Sequence, residues 1–243
     1  MITVMIVLAA AGLLASLTTA TLGVGGQLLV MPLLTLFFPA RLVIAATLPM
    51  FFMNAVVTFW LYRRTFKTAR VFWVLPGLIL GVIAGTGIVS RLSGEMLRLV
   101  IGSVAMFFLL FTMFRGFLLR KNMSLPLWVG VPLSLAAGIV SSLSNIGGTL
   151  LSPYLLSESV SPAYFVGGMS FLYLVMTTLK MLTFSIAHLL HWKDIGIALP
   201  SVLTIIAGAR AGQYLHKKIR IIYFRWVVLS VVGISSVVLL ISR

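Results

Sequence analysis

The chain has 243 residues, of which 61% are hydrophobic and 9% charged, and its mean hydropathy is +1.19. A soluble domain of this length cannot bury so much apolar surface, so the composition excludes a soluble fold and indicates a multi-pass protein of the cell membrane. Eighteen basic and three acidic residues give a net charge of +15, and the absence of cysteine excludes disulfides and thiol catalysis.

The basic residues are scattered over several short loops and form no continuous stripe. This distribution is typical of cytoplasmic loops that face anionic lipid, and it disfavours nucleic acid as a partner. The lipid bilayer and a small anionic substrate are therefore the expected partners, and a homodimer is left open.

Charges and prolines divide the chain into eight apolar blocks. The first block has no basic residues before it and continues past any cleavage site, so we interpret it as a retained membrane segment and not a signal peptide. Blocks 2–38 and 126–156 are too long for one crossing of a hydrocarbon core of about 30 Å, so each is either a re-entrant hairpin or two half-length helices. The eight blocks are 2–38, 42–62, 70–91, 96–117, 126–156, 163–187, 194–215 and 222–241.

Each long block contains a glycine pair where an unbroken membrane helix is expected. The pairs are Gly25-Gly26, called the first break, and Gly147-Gly148, called the second break; they lie 122 positions apart. Each is followed by two leucines and then by a proline. Matching helix interruptions in the two halves of a membrane protein indicate the binding site of a secondary transporter.

An interrupted helix exposes unpaired N–H groups and the positive end of a dipole, which together bind anions. The alternative is that glycine and serine at these positions only allow close helix packing. We favour the anion site for the paired breaks. The predicted backbone residues are Gly25, Gly26, Gln27, Gly147, Gly148 and Thr149, and the nearby predicted donors are Thr18, Thr19, Thr21, Ser141, Ser142, Ser144 and Asn145.

Five further polar side chains in apolar blocks are candidates for the same site. Asn54 either faces the substrate path or bonds a neighbouring helix, because a buried amide needs partners. Tyr173 and Thr177 share a helix face at a spacing of i, i+4. Thr47 falls opposite Ser170 at an offset of 123 positions, and Asn54 falls opposite Thr177.

The loop charges indicate that the second long block enters the membrane and returns. Three basic clusters, within 63–70, 115–121 and 217–225, then share the cytoplasmic side with 11 basic residues against five on the other side. A single crossing would place the second and third clusters on opposite sides, against the positive-inside rule.

An internal repeat accompanies this topology. Residues 39–43 match 162–166 at an offset of 123, and Gly81, Gly85 and Arg98 match Gly208, Gly212 and Arg225 at an offset of 127. We expect an all-α polytopic integral membrane protein of two inverted-topology repeats, residues 1–121 and 122–243. It would have about eight transmembrane helices plus two broken or re-entrant segments.

Glycines and charges inside the other blocks carry two further expectations. Close helix packing is the preferred interpretation of Gly77, Gly81, Gly85, Gly208 and Gly212. Lys180 and Arg210 are the only basic residues well inside blocks, and each is either a counter-ion for an anion or a side chain that snorkels to a block end.

The three acidic residues all fall at block ends, so no carboxylate is available in mid-membrane to bind sodium or relay protons. Sodium coupling through backbone carbonyls is left open. The histidines are also peripheral, and neither a metal site nor a cofactor is expected.

The duplicated motif resembles the sulfite exporter TauE/SafE family over essentially the whole chain. The first copy reads Gly12-x-x-Ala15-Ser16, then Gly23-Val24-Gly25-Gly26-Gln27 and Pro32; the second reads Gly138-x-x-Ser141-Ser142, then Asn145-Ile146-Gly147-Gly148-Thr149 and Pro153. The family often has a third glycine where Gln27 and Thr149 stand. The resemblance implies movement of sulfite-like sulfur oxyanions or organosulfonates across the cytoplasmic membrane, with import and export both left open.

The leading hypothesis is therefore a secondary transporter of small anions that works by alternating access. A membrane-embedded enzyme is disfavoured, because no nucleophile, acid–base pair or metal set converges in the apolar blocks. A non-transporting membrane scaffold is the third alternative, and the large basic surface would serve it.

Overall fold

The computed structural model describes residues 2–65, 69–118, 126–156, 162–218 and 221–241. Within these residues the regular structure is helical and no strand occurs, which confirms the all-α prediction. Among the residues that the structure describes, six helices are long and apolar enough to cross a membrane. The predicted count of about eight is not confirmed.

Eleven α-helices follow one another in the described part of the chain, with short 3₁₀ turns at Arg63–Thr65, Leu127–Val129 and Gly147–Leu151. They are α1 (Ile2–Leu22), α2 (Gly26–Thr35), α3 (Ala40–Tyr62), α4 (Ala69–Arg91), α5 (Gly94–Leu118), α6 (Gly130–Ser144), α7 (Ser152–Leu156), α8 (Pro162–Ile186), α9 (Trp192–Ala198), α10 (Ser201–Lys218) and α11 (Ile221–Ile241).

One predicted block is wrong. Residues 194–215 were expected to form one segment, but they belong to two helices, because α9 ends at Ala198 and α10 begins at Ser201. Pro200 lies between them, and proline lacks the N–H that a continuous helix would need.

The first long block is a hairpin. α1 continues unbroken for 21 residues, so it is not a half-length helix. α2 then returns along it: Gly26 lies against Ala15, and at the other end of α2 Leu34 lies beside Leu8. The chain therefore comes back to the end from which α1 started.

The second long block returns in the same way. After α6, Gly147 lies against the backbone of Ala137 and Ser141. Further along, the Tyr154 hydroxyl donates a hydrogen bond of 3.2 Å to the Leu127 carbonyl, just before α6 begins. The return path is a 3₁₀ turn followed by the five-residue α7.

Glycines bring two pairs of helices into close contact. A Cβ atom at Gly81 of α4 would lie 2.2 Å from the Leu135 carbonyl oxygen of α6. A Cβ atom at Gly208 of α10 would lie 2.5 Å from the Leu13 carbonyl oxygen of α1. The predicted close-packing role of these glycines is confirmed, and Gly77, Gly85 and Gly212 make contacts of the same kind.

Helices α3 and α8 pack against each other in the centre of the bundle. In the most apolar 18-residue stretch of α3 and of α8, 67% and 61% of the residues are buried. The corresponding share for α5 is 28%, so α5 lies at the periphery. Polar residues along these two central helices are therefore enclosed by protein and not exposed to lipid.

The ends of the central helices show which loops lie together. At one end the Tyr62 hydroxyl donates to the Ala20 carbonyl at 3.0 Å, and Thr65 donates to the Ala163 carbonyl at 3.0 Å. At the opposite end the Arg41 guanidinium donates to a backbone carbonyl at 2.6 Å.

The described helix ends next to the three basic clusters, those of α3, α5 and α10, lie at the Tyr62 end of the bundle. α10 runs parallel to α1, since Gly212 lies beside Ala20 near the end of both helices. α11 runs antiparallel to α5, since Gly233 lies beside Leu109 and Gly102 beside Leu240. Lys67, Arg120, Lys121 and Arg220 lie outside the described residues.

Candidate functional site

The first break is built from two left-handed glycines. Gly23 has φ of 76° and Gly25 has φ of 102°, values that side chains adopt rarely. This backbone stops α1 and restarts the chain as α2 at Gly26. The first N–H groups of a helix have no intrahelical acceptor, so α2 begins with free donors and a positive dipole end.

The second break uses Asn145 in place of a left-handed glycine. Asn145 has φ of 60° and caps α6, and it lies 122 positions after Gly23. Asparagine is among the few residues that tolerate this conformation. The chain then continues as a 3₁₀ turn into a five-residue helix, so this break offers no N-terminus comparable to that of α2.

A small polar cavity lies where the first break meets the middle of α3 and α8. Its volume is about 10 Å³, enough for one water molecule. It is lined by Thr19, Gly26, Gln27, Phe51, Asn54, Ala55, Ser170 and Tyr173.

Gln27 is the polar residue of this cavity whose hydrogen bonding is incomplete. Its side chain is only 7% exposed, and its Oε1 atom is buried without a hydrogen-bond partner. An orphaned buried polar atom is costly and calls for a bound water or ligand. Rotation of the amide by 180° presents Nε2 in place of Oε1, so the same side chain can serve a ligand as a donor.

Asn54 of α3 bonds α1 just before the first break. Its Nδ2 donates to the Thr19 hydroxyl at 3.3 Å, and its Oδ1 accepts from the Thr58 hydroxyl at 3.3 Å. Asn54 therefore bonds a neighbouring helix, as one alternative predicts, and it also lines the cavity.

Two hydroxyls around the cavity, those of Thr19 and Ser170, already donate their hydrogens to the preceding helical turn. Thr19 donates to the Ala15 carbonyl at 2.8 Å, and Ser170 to the Val166 carbonyl at 2.7 Å. A hydroxyl has one hydrogen to donate. The amides and the backbone N–H groups that begin α2 are therefore more available to an anion in this cavity than the hydroxyls of Thr19 and Ser170.

The second break supports the cavity from behind. A Cβ atom at Gly148 would lie 2.1 Å from the ring of Tyr173, so the glycine lets the ring rest directly on the backbone. Thr149 donates to the Ile146 carbonyl at 2.8 Å, within its own turn. This break thus positions Tyr173 and does not itself line the cavity.

A second polar cluster contains Lys180, Asn145 and Thr47. The Lys180 amino group donates to the Ser141 carbonyl at 2.6 Å and to Asn145 Oδ1. On its other side, Asn145 Nδ2 donates to the Thr47 hydroxyl at 3.0 Å and to the Ile44 carbonyl at 3.2 Å. One amide thereby connects α3 of the first half to α8 of the second.

Lys180 and Arg210, for which the sequence left two roles open, differ in their burial. Lys180 is 1% exposed and its amino group lies 5.4 Å from the centroid of the Phe184 ring. Arg210 is exposed. Snorkelling is therefore wrong for Lys180, because its side chain stays inside the bundle.

The predicted site residues fall into three places. Thr19, Gly26, Gln27, Asn54, Ser170 and Tyr173 line the cavity. Thr47 and Asn145 belong to the Lys180 cluster. Adjacent to these groups, but outside the cavity lining, are Gly25, Ser144, Gly147, Gly148, Thr149 and Thr177.

Sequence reasoning missed two lining residues, Phe51 and Ala55. The signal for Phe51 was its position: Thr47, Phe51 and Asn54 recur at i, i+4 and i+7 and so share one face of α3. Among the described residues, no group of three metal-ligating side chains comes together.

Comparison with known proteins gives one family. A family model described as Sulfite exporter TauE/SafE matches residues 8–239 of the chain. No curated protein and no solved structure matches the chain.

Proposed function

The chain belongs to the sulfite exporter TauE/SafE family, and on that premise we propose that it transports small sulfur oxyanions or sulfonates by alternating access. The family is one of membrane transporters of sulfur anions. Six helices in the described part of the chain are suited to crossing a membrane, and we place the protein in the cytoplasmic membrane.

The observation that carries this proposal is the cavity at the first break. There the unpaired N–H groups that start α2 meet the Gln27 amide, which has an orphaned atom and is almost fully buried. Donors and a positive dipole end favour a negative ligand. None of the residues that line the cavity is a carboxylate.

The size of the cavity favours a carrier over an open channel. A volume of about 10 Å³ accepts a water molecule but is too small for sulfite. Binding therefore requires α3, α8 and the first break to move apart. A site that opens by relative movement of two halves is the basis of alternating access.

Reciprocal packing supports two inverted repeats with a boundary near residues 121 and 122, which lie outside the described residues. α1 packs on α10 through Gly208, and α6 packs on α4 through Gly81. If α1 corresponds to α6 and α4 corresponds to α10, the two pairings are the same contact made once by each half. Each half also begins with a hairpin that contains a break.

A ligand panel tests the substrate class. We expect sulfite, thiosulfate or sulfoacetate to raise the thermal unfolding temperature of the purified protein, because a ligand that binds the folded protein and not the unfolded chain stabilises the fold. Taurine, whose ammonium group finds no carboxylate in the cavity, and acetate serve as controls. Stabilisation by acetate alone, or flux of none of these anions in proteoliposomes, would reject the proposal.

A further inference from the structure

We propose that the Lys180–Asn145–Thr47 cluster is a gate that the transported anion opens by taking the place of Asn145 at the Lys180 amino group. This inference rests on the proposed function and adds to it a charged binding residue and a route from the cavity to one membrane face.

The amino group of Lys180 is held by neutral acceptors. Its amino group is buried and donates to two neutral oxygens, of Ser141 and Asn145. Among the described residues, no carboxylate is one of its partners. A buried ammonium group without a counter-ion is costly, so an anion that reached it would supply what the protein does not.

The cluster lies along the same face of α8 as the cavity. Tyr173, Thr177 and Lys180 recur at i, i+4 and i+7, so they share one face of α8, and Tyr173 lines the cavity. Lys180 is thus two turns, about 10 Å along the axis, from the cavity. It lies toward the end of the bundle opposite Tyr62.

The opposing face of α3 has the same arrangement. Thr47 is bonded to Asn145, whereas Phe51 and Asn54, one and two turns further along, line the cavity. The fully buried ring of Phe51 therefore lies between the cavity and the cluster. An anion that leaves the cavity on this side has to pass Phe51 and then meets Lys180.

An anion competes with Asn145 Oδ1 for the amino group of Lys180. A hydrogen bond between an ammonium group and an anion is stronger than one between an ammonium group and a neutral amide. An arriving anion thus displaces Asn145 Oδ1. Asn145 Nδ2 holds Thr47 and Ile44 at the same time, so its movement frees α3 from α6.

The exchange also sets specificity. A sulfonate that carries its own ammonium group brings a positive charge toward Lys180, and none of the described residues places a carboxylate there to balance it. The gate therefore favours sulfite and simple sulfonates over zwitterions such as taurine.

Lys180→Met tests the charged binding residue, with Arg210→Met as the matched control. The readout is the sodium sulfite concentration that gives half of the maximal thermal stabilisation. We expect this concentration to rise about tenfold or more in Lys180→Met, which loses a charge-assisted bond. It should change less than about twofold in Arg210→Met, because Arg210 is exposed.

Two substitutions of Asn145 have opposite expected effects, which separates a gate from a merely structural cap. Asn145→Gly keeps the left-handed backbone and removes the competing amide, so sulfite should bind a few-fold more tightly. Asn145→Asp supplies Lys180 with a carboxylate, so sulfite should bind about tenfold more weakly while the protein without ligand is at least as stable.

The outcomes distinguish this inference from the proposed function. Sulfite stabilisation that is equal in the unsubstituted protein and Lys180→Met overturns the gate and leaves transport at the first break intact. Weaker binding in both Asn145 variants also overturns the gate. No response of the unsubstituted protein to any sulfur anion overturns both.

Discussion

Single residues decide what the cavity can bind, and Gln27 is the most informative of them. A lining made only of hydroxyls would offer few donors, because Thr19 and Ser170 already donate to carbonyls of their own helices. Gln27 has a buried oxygen without a partner, which a water can satisfy by donating to it; an anion can instead accept from Nε2 once the amide has rotated by 180°.

Gln27→Leu should separate stability from binding. The substitution removes an unsatisfied buried polar atom, so the free energy of unfolding should stay the same or rise by up to about 1 kcal/mol. Stabilisation by sulfite should be lost, because the amide no longer contacts the anion. Thermal denaturation with and without sodium sulfite measures both effects.

The matched control for this substitution is Gln213→Leu, since Gln213 lies on α10 and does not line the cavity. It should leave the response to sulfite unchanged. If Gln27→Leu retains the full response, the amide has no part in binding and the assignment of the cavity is wrong.

The identity of the residue in each break was predictable from sequence, but its consequence was not. The repeat placed Asn145 opposite Gly23, and both are left-handed in the structure. That Asn145 also bonds Lys180 and Thr47 depends on where the C-terminal end of α6 meets α3 and α8. No local pattern specifies contacts between residues 35 to 98 positions apart.

At the scale of elements, the close approach of α4 to α6 depends on glycine. Gly81→Ala would place a Cβ atom 2.2 Å from the Leu135 carbonyl oxygen, so the two backbones would have to separate. We expect a loss of about 1–3 kcal/mol in the free energy of unfolding.

Gly87→Ala on the same helix is the control for this effect. No heavy atom lies within 4 Å of the Cβ that it would add, and alanine has the higher helix propensity, so stability should rise by up to about 1 kcal/mol. Thermal denaturation in one detergent should rank Gly87→Ala first, the unsubstituted protein second and Gly81→Ala last. The reverse order would contradict the packing described for α4 and α6.

Helix bounds were largely predictable because each crossing is a continuous apolar run between charges. The block 42–62 corresponds to α3 at Ala40–Tyr62, and 163–187 corresponds to α8 at Pro162–Ile186. The prediction failed where apolar sequence continues through a proline, as between α9 and α10. The short α7 was also hidden, because hydropathy does not distinguish a 3₁₀ turn from an α-helix.

For the whole molecule, the two hairpins and the reciprocal helix pairs lead to a definite topology. In the proposed inverted repeats, the loop after α3 and the loop after α8 occupy equivalent positions on opposite sides of the membrane. Arg64 represents the first loop and His191 the second.

The chain has no cysteine, so single cysteines introduced into it can report sidedness without further changes. Arg64→Cys should react with a membrane-impermeant maleimide only after permeabilisation, and His191→Cys should react from the outside of intact cells. Ser93→Cys, in the exposed turn after α4, should behave like His191→Cys. Labelling of all three from one side would contradict the inverted repeats.

Counterflow of radiolabelled sulfite in proteoliposomes tests the central claim most directly, namely that this protein carries sulfur anions by alternating access. Vesicles loaded with unlabelled sulfite and diluted into a trace of labelled sulfite should accumulate label transiently above its equilibrium level, because each carrier exchanges one anion for another. Gly26→Leu, which places a side chain against Ala15 and Thr19 at the start of α2, should abolish this overshoot. Equilibration of label without an overshoot, or an undiminished overshoot in Gly26→Leu, would contradict the account.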